Sequence, residues 1–157
     1  MRRMLLSALA LIVVFLTTFN ATCSRSQLQT SGRTFEAVAQ EAQRSTGELV
    51  KSGDMSSEDA RAANAVLYEF ESSAHVFNLA LVNYESLSPQ AKRELLQTTI
   101  DESVRIISRL EDQNVIRFKT ERGRQKFDKW LSRIKIGTSA LRIALAALPQ
   151  DSQQVNN

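Results

Sequence analysis

Apolar residues recur three and four apart over most of this chain, and the clearest run is Ala60, Ala63, Leu67, Phe70, Ala74, Phe77, Leu81 and Tyr84. That spacing places all eight on one face of a helix, the seam a helix needs in order to pack along its neighbours at a shallow angle. Ser56-Ser57-Glu58-Asp59 precedes the run, supplying a hydroxyl cap and early carboxylates that suit the positive end of a helix. The pattern predicts a helix from there to about Ser86. A first helix is predicted over Thr34 to Lys51 from Phe35, Val38, Ala39, Ala42, Leu49 and Val50, with Ser45, Thr46 and Gly47 weakening its middle and Ser52-Gly53-Asp54 ending it. Ser88-Pro89, a cap followed by a proline whose missing donor costs nothing there, starts a third helix running to about Gln113. Its expected buried face is Ala91, Leu95, Ile100, Val104, Ile107 and Leu110.

The connection Leu87-Ser88 is short enough to make helices two and three antiparallel neighbours. Asn114 and Gly123 are expected to interrupt the helical pattern, although Val115, Ile116 and Phe118 read as buried. A fourth helix follows from about Gln125 to Leu148, with Phe127, Leu131, Ile134, Thr138, Leu141, Leu145 and Leu148 on its seam and Pro149 as its stop. Four amphipathic helices with short links predict an all-α fold, an antiparallel four-helix bundle over residues 34–149. The alternative is a more open hairpin of helices two to four that dimerises. Composition agrees with helix, since the whole chain holds two prolines and five glycines.

The N-terminus follows a different pattern. After Met1-Arg2-Arg3 comes an uncharged apolar block, Met4 to Phe19, and then the sole cysteine, Cys23. A basic start, an apolar core and small or polar residues after it are the parts of a secretory signal. Phe19-Asn20-Ala21-Thr22-Cys23 resembles the lipobox of bacterial lipoproteins, with Asn20 and Thr22 where that family usually has an aliphatic residue and Gly or Ala. The resemblance covers residues 1–23 only. It implies removal of residues 1–22, lipidation (palmitate) of Cys23 and a place in the cell envelope, on the outer membrane if the host is Gram-negative, because Ser24 rather than Asp follows the cysteine. Two other readings stand beside it: an uncleaved anchor crossing the bilayer from Met4 to Ser24, and a secreted soluble form cut near Ala21. Residues 23–33, mostly Ser, Gln, Thr, Arg and Gly with Leu28 alone to bury, read as a flexible tether, and residues 150–157 as a disordered tail.

Charge is divided along the chain. Glu36 to Asp112 carries 14 acidic against 7 basic residues, and Val115 to Pro149 carries 9 basic against 2 acidic. The basic block offers Arg122, Arg124, Lys126, Lys129 and Arg133 as a surface for an anionic partner, an envelope protein or anionic lipid, with export excluding nucleic acid. The competing and favoured explanation is internal: the basic helix neutralises acidic helices two and three. Trp130 lies three residues from Phe127 and four from Ile134, which assigns it to the core rather than to a membrane interface.

No catalytic or metal site is expected. His75 is the only histidine, so paired Glu-x-x-His motifs are excluded, and it stands four residues after Glu71, its expected partner on the same helix. Glu58-Asp59, Asp101-Glu102 and Glu111-Asp112 are sequence neighbours that point apart on a helix and read as solvated faces. Gly123 and Gly137 stand alone, with no phosphate-cradling loop; Gly137 is read as a close helix approach, or else as the wall of a small apolar cavity. The sequence therefore predicts a non-enzymatic, membrane-tethered binding or scaffold bundle without cofactor, the alternative being a bundle that binds a small apolar or anionic ligand.

Overall fold

The computed structural model describes residues 25–112 and 115–148, and the export segment, Cys23 and the 150–157 tail lie outside the described residues. Four α-helices form: α1 (Arg25–Lys51), α2 (Ser57–Ala80), extended by a 3-10 turn (Leu81–Ser86), α3 (Pro89–Glu111) and α4 (Glu121–Ala147). Each packs on the next and α4 closes back on α1, so the helices form an antiparallel bundle with α1 opposite α3 and α2 opposite α4. Among the described residues no helix is long and apolar enough to cross a membrane.

The predicted boundaries have visible chemical causes. Gly53 ends α1 with φ of 76°, and the Asp54 N–H reaches back to the Leu49 carbonyl at 2.9 Å. Ser56 accepts from the Asp59 N–H at 3.0 Å, Ser88 from Ala91 at 3.1 Å and Thr120 from Gly123 at 3.1 Å, one hydroxyl cap for each of α2, α3 and α4. All eight seam residues of α2 are buried. They meet Phe35, Val38, Ala39 and Ala42 of α1, with Phe35 tilted against Phe70 at a centroid distance of 5.2 Å. Each buried phenylalanine contributes about 1.5–3 kcal/mol by leaving water. Trp130 is buried and stands edge-on to Phe127, 5.7 Å between centroids.

Four expectations are corrected. Residues 25–33 belong to α1 instead of forming a tether, because Leu28 and Gly32 are both buried against the bundle. Gly32 has no methyl for a reason: a Cβ there would overlap the Asn78 carboxamide, and the absence lets α1 and α2 approach closely. On α3 the buried face is Leu96, Thr99, Ile100, Ser103, Ile106 and Leu110, while Val104 is exposed. Thr99 and Ser103 can face the core because their hydroxyls donate to the Leu95 and Thr99 carbonyls at 2.8 and 2.7 Å. Thr46 is likewise buried within an unbroken α1, its hydroxyl 2.7 Å from both the Gln43 carbonyl and Asn64 Oδ1. Finally, Gly123 lies inside the first turn of α4 and does not interrupt it; a Cβ there would come 2.9 Å from Asp54 Cβ, so glycine permits the loop before α2 to seat on α4.

Candidate anionic-partner surface and the distal pocket

α1 spans 27 residues, about 40 Å at 1.5 Å per residue, and carries the chain from Arg25 to the far end of the bundle. At that end two loops are joined. Thr120 donates to Asp54 Oδ1 at 2.5 Å, Ser52 to Asp54 Oδ2 at 2.6 Å, and the Lys119 N–H to the Asp54 carbonyl at 2.8 Å. Beside them Met55 bridges Phe118, and the Asp59 carboxylate accepts from the Ser56 hydroxyl and from the Arg117 N–H at 3.1 Å. The Ser52 and Thr120 hydroxyls hold the Asp54 carboxyl below the usual aspartate range, with Arg122 and Lys126 adding to the effect. Asp59 is lowered as well, mainly by Ser56 and then by the Arg117 backbone. Asp59 is buried and bonded, unlike the solvated face expected of it.

The five predicted surface residues do not form one group. Arg122, Lys126, Lys129 and Arg133 follow one another four, three and four residues apart, so they line a single edge of α4. Arg124 lies off that edge, among the residues of a neighbouring pocket. Arg133 is already engaged, donating to Glu41 of α1 at 2.5 Å, and Lys135 pairs with Glu111 of α3. Arg117 stands 3.7 Å from Asp59. Internal neutralisation is thus real, with a corrected partner set: α4 lies between α1 and α3, and among the described residues α2 meets the basic block at its first turn, where Asp59 pairs with Arg117 of the loop before α4. Arg122, Arg124, Lys126 and Lys129 make no ion pair among the described residues. Arg122 and Arg124 also sit in the first turn of α4, where a cation opposes the helix dipole by about 0.3–1 kcal/mol. Helix stability therefore does not account for Arg122 and Arg124, and what Arg122 and Lys126 add to the fold is their pull on the Asp54 carboxylate.

The adjoining pocket has a volume of about 570 Å3. Leu110, Ile116, Phe118, Phe127 and Leu131 form its apolar wall, and Arg117, Lys119 and Arg124 its cationic rim, with Glu111, Glu121 and Asp128 alongside. No local pattern in the sequence signals it, because its walls come from α3, the following loop and α4. Within the distal network, Ser56 and Asp59 were within reach of sequence reasoning as a cap and an early carboxylate, and Ser52-Gly53-Asp54 as a helix end, but not their closure on Arg117 and Thr120.

His75 is exposed and its Nδ1 lies 3.1 Å from Glu36 of α1 instead of pairing with Glu71. Glu71 is occupied by Gln40 at 2.8 Å and Gln43 at 2.9 Å, both reaching across from α1. Gly137 marks a close approach, with the Phe35 ring filling the space where its Cβ would stand. Among the described residues no group of three His, Cys, Asp or Glu side chains is placed to hold a metal ion. Comparison with protein-family models, with curated proteins and with solved structures returns no match for this chain.

Proposed function

We propose that this chain is an exported lipoprotein, tethered through Cys23, whose helical bundle acts as a non-enzymatic binding or scaffold module in the bacterial cell envelope. The lipobox-like residues 19–23 support the tether. The observation that carries the binding role is the set of cations on α4, Arg122, Arg124, Lys126 and Lys129, that make no ion pair among the described residues, the first two of them standing against the helix dipole. They lie towards the end of the bundle remote from Arg25, roughly 27 to 38 Å along α1. That distance is several Debye lengths at physiological salt, so the headgroups of the tethering membrane are a poor partner for them. An acidic face on an envelope protein fits better.

Two measurements test this. Mature protein should carry a fatty acid and partition with membranes, and Cys23→Ala should abolish labelling while the bundle stays folded; wild-type protein that retains Met1 or carries no lipid refutes the tether. A photo-crosslinker at the exposed Ser132, one turn from Lys129, should capture an acidic protein in intact envelopes, and the double change Lys126→Glu, Lys129→Glu should lose it. Capture that survives the charge reversal refutes the anionic-partner role.

The distal pocket favours a second reading, a small ligand with an apolar body and an anionic head, received by Phe127 and Leu131 below and Lys119 and Arg124 above. A thermal-shift screen of aromatic and aliphatic carboxylates tests it, with Arg124→Glu expected to cancel any stabilisation.

A further inference from the structure

The outer face of α2 carries Tyr68, Val76, Leu79 and Val82, each more than half exposed, in one stripe along the helix. Beside Val76 a groove of about 510 Å3 opens between α2 and α3, with Phe77 and Leu95 among its walls. Glu36 and Glu71 border this face on the α1 side and are its available carboxylates, while Glu69 and Glu102 on the α3 side are paired with Arg105 and Arg109. The outer face of α4 is its counterpart. Ile136 and Ile143 are 67% and 61% exposed, and Lys129, Arg133 and Arg142 are their exposed neighbours on the helix. Charge follows the same division, since α2 with its 3-10 turn bears five acidic residues and one basic, and α4 bears seven basic and two acidic.

The two faces also match in height. Gly32 of α1 is level with Asn78 of α2, and Phe35 of α1 is level with Gly137 of α4. Because α2 and α4 both run antiparallel to α1, Val76 falls within one helical turn of the height of Ile136, and Val82 within one turn of Ile143. α2 and α4 are diagonal in the bundle, so these faces point to opposite sides.

We propose that the outer face of α2 docks on the outer face of α4 of a second copy of this chain, so that copies assemble side by side in an open row. Displacing one copy sideways without rotation brings the apolar stripes into register and sets carboxylates of one copy against cations of the next. Pairing α2 with α2, or α4 with α4, would instead set like charges against each other. A contact between two different faces on opposite sides of the molecule does not close on itself, which makes the assembly a row rather than a dimer. The same displacement leaves every Arg25 end on one side, as copies tethered to a single membrane require. The inference rests on the scaffold reading above for that last point only, and it names the scaffold's partner as the chain itself.

The test uses the full chain in a nonionic detergent, followed by sedimentation velocity over a concentration series. Wild-type protein should add copies stepwise as concentration rises, with no fixed end point, and added salt should weaken the association. Val76→Lys sets a cation against the cationic face of α4 and Ile136→Glu a carboxylate against the acidic face of α2, and each should raise the concentration needed for association about a hundredfold. Each variant keeps the other face intact, so an equimolar mixture should form a one-to-one pair and stop. Both positions are exposed, and helicity by circular dichroism confirms that each variant is folded; Leu79→Lys and Ile143→Glu repeat the experiment on the same two faces. A wild-type chain that stays monomeric overturns the proposal. So does a closed dimer, association unaffected by either variant, or a mixture that forms no pair. Fatty-acid labelling of Cys23 reports on the tether independently, so loss of the row and loss of the lipoprotein reading are told apart.

Discussion

Replacing Gly137 by alanine should destabilise the bundle, and the same change at Gly47 should stabilise it. A methyl group at Gly137 would overlap Phe35 Cε1, with Cζ at 2.8 Å and Cδ1 at 3.1 Å. Phe35 is 1% exposed and held against Phe70, so the ring has no free direction and α1 must move away from α4. Overpacking of this kind costs about 1–3 kcal/mol, against which alanine returns about 1 kcal/mol of helix propensity. The obstruction is a buried ring rather than the end of a flexible chain, which places the net loss at about 1–2 kcal/mol. At Gly47 nothing lies within 4 Å of the added methyl and the residue is inside α1, so only the propensity gain of about 0.5–1 kcal/mol remains. Urea unfolding followed by circular dichroism should separate the two variants by about 1.5–3 kcal/mol, and melting temperatures should move in opposite directions by roughly 2–4 °C per kcal/mol. In a Phe35→Leu background the Gly137→Ala penalty should shrink, since the ring that obstructs the methyl is gone. If Gly137→Ala is as stable as Gly47→Ala, the close approach of α1 and α4 is wrong, and with it the height match between α2 and α4.

Phe77→Ala removes a fully buried ring from α2 and should cost about 3–5 kcal/mol, whereas Ser72→Ala on the exposed face should stay within about 0.5 kcal/mol in the same urea assay. The carboxyls of Asp54, Asp59, Glu69 and Glu102 are all held below their ordinary ranges, Glu69 chiefly by Arg109 and Glu102 by Arg105. Groups lowered in this way stabilise the fold fully above their unfolded values, 3.8 for aspartate and 4.5 for glutamate, and lose that contribution as pH falls further. Asp59→Asn should therefore be less stable at neutral pH and show a flatter acid limb in a pH series of thermal melts. Arg133→Gln removes the exposed pair with Glu41 and should cost about 0.2–1 kcal/mol, diminishing in salt, while Lys129→Gln, with no ion pair among the described residues to lose, should leave stability nearly unchanged.

How much could be read from the chain differs between the fold and the candidate site. The α2 seam was legible because its eight apolar residues keep strict helical spacing, and the Ser56, Ser88 and Gly53 boundaries because a cap or a positive-φ turn needs particular side chains in adjacent positions. The α3 face was misjudged because Thr99 and Ser103 look polar in sequence, yet their hydroxyls bond within the helix and permit burial. The cationic residues of α4 were visible as a block. Their division into Arg133, which is paired, and Lys126 and Lys129, which are not, was invisible, because Glu41 lies 92 residues away in the chain.

The sequence by itself determined four helices, the Ser56 and Ser88 caps and the seams of α2 and α4, since each arises between residues three or four apart, where backbone geometry already sets which side chains meet. Only the tertiary structure decided that α4 lies between α1 and α3, that Thr120 closes on Asp54, that His75 meets Glu36 and that Gly137 makes room for Phe35. An amphipathic helix specifies which face is buried and leaves open which neighbour buries it. Helix order in the bundle, close packing and loop closure make that choice over the whole molecule at once.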